Sequence, residues 1–219
     1  MSSEARPASP TYAWYVVAVL LLAYTLSFID RMILSLLVGP IKADLGISDT
    51  QMSLLMGFAF AIFYSALGIP LGWLADRLYR RGFKDAHLRV IRLNAILLAP
   101  LFVGMALAPS APLALGLMIV AMLVGTIHGG VAGAALQMIT PNRLRARMVA
   151  LYFLVANLIG LGLGPTAIAL VTDLGFGRPE ALRYGLAIVT AVALPISAVI
   201  LTAGLKPFAR AVEAAEQNA

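Results

Sequence analysis

Six apolar blocks, each long enough to cross a lipid hydrocarbon layer, limit what this 219-residue chain can fold into more than any other feature. A layer of about 30 Å at about 1.5 Å per helical residue takes roughly 20 residues, and helices in soluble cores usually run shorter. The blocks run over residues 12–38, 52–74, 90–108, 113–139, 148–171 and 184–205. With 61% apolar and 12% charged residues, the chain has too little polar surface to cover these blocks in water. The expected architecture is therefore an all-α membrane protein, a six-transmembrane-helix bundle at 12–205 between tails at 1–11 and 206–219.

The net charge of +6 could suggest nucleic acid, but the cations sit in alternate loops and form no groove-binding face. With the N-terminus in the cytoplasm, twelve of the sixteen Lys and Arg fall on that side. They include the cluster Arg77, Arg80, Arg81, Lys84, Arg89 and Arg92, and the triplet Arg143, Arg145 and Arg147. Lys42, Arg178 and Arg183 fall outside, and Arg31 lies within a span. This asymmetry follows the positive-inside rule, so both termini are expected in the cytoplasm of a bacterial inner membrane, with the bilayer as partner and no nucleic acid. The first apolar run is too long for a cleavable signal and is expected to stay in the protein.

Several chemistries lack their residues. There is no cysteine, the two histidines make no zinc motif, and no phosphate-cradling glycine loop ending in Lys-Ser/Thr occurs, so neither metal nor cofactor is expected. No serine has the glycine-flanked setting of an intramembrane nucleophile, and an enzyme is not expected.

Small residues at four-residue spacing allow close helix contact: Gly125, Gly129 and Gly133, Gly68 with Gly72, and Gly160 with Gly164. Pro70, Pro165 and Pro195 lie within spans, as static bends or as hinges.

The stretch Gly72-Trp73-Leu74-Ala75-Asp76-Arg77-Leu78-Tyr79-Arg80-Arg81-Gly82 resembles the signature loop of the major facilitator superfamily, with Gly72, Asp76, Arg77, Arg80 and Arg81 at the motif positions. Tyr79 departs from it, standing where that family's first loop has a small residue. Phe28-Ile29-Asp30-Arg31 and Gly39-Pro40-Ile41-Lys42-Ala43-Asp44-Leu45 resemble the opening helices of bacterial spinster-like members. Asp85-Ala86-His87-Leu88-Arg89, Gln137-Met138-Ile139-Thr140-Pro141-Asn142-Arg143 and Asn157-Leu158-Ile159-Gly160 resemble the last four helices of the same group. The chain thus resembles the first two and last four helices of a twelve-helix transporter, joined near Gly72 at positions equivalent in its two repeats, and so one complete half.

The resemblance implies secondary transport of a small organic or lipid-like anion, coupled to protons, by alternating access. One half needs a homodimeric partner or a complementary half; otherwise the chain is a non-transporting remnant or a binding subunit. Asp30 and Arg31 are charged at membrane depth, where ionisable groups are costly unless paired or hydrated. The resemblance implies Asp30 as the protonatable carboxylate and Arg31 as the cation for an anionic headgroup. His128 lies mid-span, as a protonation gate or a neutral packing group. Gln137 and Asn157 are candidate hydrogen-bonding residues of a cavity, with Tyr24, Tyr64 and Tyr152 behind them.

Overall fold

A computed structural model describes residues 15, 17–23, 38–39, 42–54, 57 and 73–217. Within these, four helices are long and apolar enough to cross a membrane: α1 (Ala86–Ala106), α2 (Ala111–Ile139), α3 (Arg145–Phe176) and α4 (Leu182–Gln217). They correspond to the third through sixth expected spans. The first two fall largely outside the described residues, as do Asp30, Arg31, Gly68, Pro70 and Gly72, although residues 17–23 and 73–80 are helical.

The boundaries follow local chemistry. The 73–80 helix ends where Gly82 adopts φ +97°. Its N–H donates to Tyr79 O at 2.9 Å, and Phe83 N–H reaches Leu78 O at 3.3 Å. This is a Schellman closure, and only glycine takes that backbone conformation without strain. Ser110, in extended conformation, precedes α2, and Pro112 occupies its first turn, where no amide donor is required. Pro141 blocks continuation of α2, and the Thr140 hydroxyl donates to Leu136 O at 2.7 Å. Gly177, at φ +62°, closes α3.

The chain reverses at each short connection, so consecutive helices run antiparallel. α1 packs chiefly on α4 and α2, and α3 lies mainly against α4. One end of the bundle carries the 81–85 turn with Arg81 and Lys84, the 140–144 connection with Arg143, and the end of α4; this is the basic end. The apolar core forms two clusters. One, toward the basic end, contains Leu88, Ile91, Leu136, Tyr152, Leu201 and Phe208. The other contains Leu98, Phe102, Met105, Met118, Leu186 and Leu194. Two buried hydroxyls tie the 17–23 helix to this frame: Tyr152 donates to Leu20 O and Ser197 to Ala23 O, each at 3.1 Å. Because lipid gives helices no hydrophobic reason to associate, such bonds and close packing hold the bundle.

Beyond the expected end of the sixth span, α4 runs unbroken through Lys206 and Pro207 to Gln217, into the stretch expected as a tail. Phe208, Ala211 and Val212 recur at helical spacing and are buried in the basic-end cluster, which keeps the helix together past its proline. On the proposed glycine stripe of α2, a Cβ built on Gly125 meets no described atom within 4 Å, and on Gly133 it meets Phe153 at 3.9 Å. Tight positions among the described residues include Gly185 and Gly204 on α4. A Cβ on Gly204 would come within 2.7 Å of Val19 Cγ1, and one on Gly185 would overlap the Thr172 hydroxyl.

Candidate functional site

Glycine contacts fix the register between neighbouring helices. The Gly104 Cβ position lies 3.4 Å from Leu117, which carried along the antiparallel pair sets Asn94 of α1 level with His128 of α2. Leu88 lies 3.4 Å from the Gly204 Cβ position, which sets Asn94 level with Ser197 of α4. The Gly133 to Phe153 approach sets His128 level with Asn157 of α3. Contact of Gly185 with Ile168 and Thr172 gives the same alignment between α3 and α4, within about one helical turn.

Asn94, His128, Asn157 and Ser197 therefore form one polar level across all four helices. It lies where the two apolar clusters part: Ile91 and Leu98 flank it on α1, and Leu194 and Leu201 on α4. Asn94, His128 and Ser197 are buried and Asn157 is half-buried. Ser197 is satisfied by Ala23 O, and Asn157 Nδ2 donates to Phe153 O of its own helix at 2.6 Å. Polar residues inside an apolar bundle are costly unless they find partners, so several at one level mark a place where hydrogen bonds can be exchanged.

Of the sequence candidates, His128 and Asn157 lie at this level. Gln137 does not: nine positions beyond His128, at about 100° per residue, it stands on the opposite face of α2, and it is exposed. Asp30 and Arg31 lie outside the described residues. Tyr152 serves as a packing group. Asn94 and Ser197 were missed, although each is a lone polar residue in an apolar run.

The signature loop forms a second centre at the basic end. Asp76 Oδ1 lies 3.8 Å from Nε2 of His87, in the first turn of α1. Arg77 lies over the Trp73 ring, and Arg80 and Arg81 are exposed. Tyr79 joins several of these groups. Its hydroxyl donates to Glu216, its ring lies edge-on to His87 at 6.1 Å, and Lys84 sits 5.0 Å above that ring. Lys84 Nζ reaches both Glu216 oxygens at 2.7 Å, so the end of α4 is fastened to the loop between the 73–80 helix and α1. Only the helical continuation past Pro207 brings Glu216 there.

Hydrogen bonds from Lys84, then from Tyr79, hold the Glu216 carboxyl below its ordinary value of 4.5. Burial, with Glu216 beside it, raises the Tyr79 phenol, and the Glu216 hydrogen bond raises Lys84. A depressed carboxyl pKa means that the fastening is complete above the ordinary glutamate range and is lost as pH falls through the lowered value. The Glu216 13C carboxyl resonance is expected to titrate below pH 4.5, and Lys84→Met to move it upward. A wild-type midpoint at or above the ordinary value refutes the contact.

The sequence profile described as Major Facilitator Superfamily matches residues 20–218. The chain belongs to the major facilitator superfamily. Members of this family are membrane transporters rather than enzymes. A spinster homologue, described as a bacterial homologue of the human lysosomal transporter in an inward-facing, unoccupied conformation, is similar over 90% of this chain, with TM-score 0.66 and 27% identity. An occupied inward-facing form of such a homologue gives TM-score 0.64 at 24% identity, a likeness of fold alone. An MFS-type efflux pump of Mycolicibacterium smegmatis is 46% identical over 68 residues, 31% of this chain and 16% of the pump. The chain spans 44% of the length of the spinster homologue. It is a multi-pass membrane protein of that superfamily, similar in fold to the spinster homologue.

Proposed function

We infer that this superfamily member carries a small organic or lipid-like anion across a bacterial inner membrane, driven by protons, by alternating access. The fold match to an inward-facing spinster homologue over 90% of the chain carries this reading. The polar level at His128 and Asn157 supports it, since transporters of this kind bind near the middle of the membrane, between two halves that rock. Arg31 suits an anionic headgroup and Asp30 the proton. The basic end faces the cytoplasm, in line with the distribution of arginine. The length, 44% of the spinster homologue, is compatible with a join near Gly72 between the first two and last four helices of a longer ancestor whose middle helices are absent.

A single half requires a second copy face to face, or a complementary half from another chain. A non-transporting remnant or binding subunit is the second reading, favoured by the chain spanning only 44% of its structural relative. Purified protein reconstituted in lipid tests both: its oligomeric state is measured alongside proton-driven uptake of a panel of organic anions. Uptake by a dimer is the expected result. A lipid-embedded monomer that takes up none of them supports the remnant.

A further inference from the structure

Asn94 is 1% exposed, in the apolar interior of α1, and neither amide atom has a hydrogen-bond partner among the described residues. A buried carboxamide has two donors and an acceptor with two lone pairs, and leaving all of them unmade costs more than an ordinary hydrogen bond returns. Two of the other groups at its level are already engaged in part. The Ser197 hydroxyl proton goes to Ala23 O and an Asn157 amide proton to Phe153 O. Ser197 Oγ still has lone pairs to accept a hydrogen bond.

The surroundings also leave room. Gly125 lies on the same stripe of α2 as Ala121, His128 and Ala132, which faces the interior, and it is half-buried. No described atom lies within 4 Å of where its Cβ would stand. Ala95 and Ala198, flanking the level on α1 and α4, are small and buried. A polar site of this kind, with a donor–acceptor amide, a second acceptor and free space beside a glycine, has the properties that retain a water inside a protein.

We propose that the Asn94 amide holds an ordered water within the membrane interior, bridging α1 to the polar level of α2 and α4. The water accepts from Asn94 Nδ2 or donates to its Oδ1, and its remaining proton is within the acceptor capacity of Ser197. This assignment does not depend on transport; it requires only the folded chain.

The chain contains four asparagines, Asn94, Asn142, Asn157 and Asn218, so selective 15N-asparagine labelling gives a spectrum that can be assigned residue by residue. Full-length protein in lipid bilayers is studied by water-edited solid-state NMR. Asn94→Leu assigns the side-chain signal by its disappearance, and Asn94→Ser does so if the leucine variant fails to fold. Magnetisation from water is expected to reach the Asn94 side-chain nitrogen several-fold faster than the backbone nitrogen of the same residue, which is held in the helix. Equal slow transfer to both nitrogens overturns the proposal. So does a through-space contact from the side-chain amide to the His128 imidazole or another protein acceptor with no transfer from water.

Discussion

Gly185→Leu is expected to prevent the chain from reaching a folded state in detergent, and Gly185→Ala to lower its thermal midpoint by on the order of 5 °C. Gly185 is buried in the first turn of α4, where it touches α3. A Cβ there would overlap the Thr172 hydroxyl and lie 3.2 Å from Ile168 O, a backbone atom that can move only with its helix. Thr172 cannot turn aside freely, because its hydroxyl is bonded to Ile168 O at 2.8 Å and the residue is buried. Overpacking at such a place costs about 1–3 kcal/mol for one methyl, and a leucine must separate the helices. Gly175→Ala in α3 is the control, since nothing lies within 4 Å of that position, and its midpoint is expected to stay or rise. Fluorimetric melting of the purified proteins decides: an unchanged Gly185→Ala midpoint shows that α3 and α4 are not in close contact there.

Asp30→Asn is expected to lower proton-driven uptake by at least about tenfold, equivalent to about 1.4 kcal/mol, while leaving the amount of folded protein unchanged. This expectation belongs to the proposed function. A carboxylate in the middle of a hydrophobic span is costly, and the amide keeps its shape while removing the site of protonation. The measurement is uptake into proteoliposomes under an imposed pH gradient. Uptake that survives the substitution removes Asp30 as the proton carrier without disturbing the assignment of the family.

Much of the architecture could be read from the chain because the controlling interactions are local. A run of apolar residues long enough for a bilayer, Pro141 after α2 and Gly82 after the 73–80 helix act within a turn or two of themselves. The family was legible for the same reason, in the Asp76-Arg77 loop. The stretch after Lys206 carries a lysine, a proline and a glutamate-bearing end, which read locally as a stop signal. Phe208, Ala211 and Val212 outweigh that signal by burial against residues more than a hundred positions away. Glu216 could not have been paired with Tyr79 and Lys84 from their spacing, since the contact closes across nearly the whole described bundle.

The candidate site divides along the same line. His128 and Asn157 drew attention as polar residues in apolar spans, and Gln137 drew it equally, although rotation about α2 places it on the far face. Asn94 is one polar residue in an apolar run, and its burial is a property of the packed helices. Glycine spacing picked out Gly125, which has open space beside it, and passed over Gly185, which has none. The amino-acid order alone established that this chain is made of lipid-spanning helices with a basic loop motif, since length, hydropathy and turn chemistry are written along one dimension. Which polar groups share a level, and which glycine bears a neighbouring helix, was settled only by the rotation and register of α1 to α4. Those are set by packing between distant segments, and no local pattern encodes them.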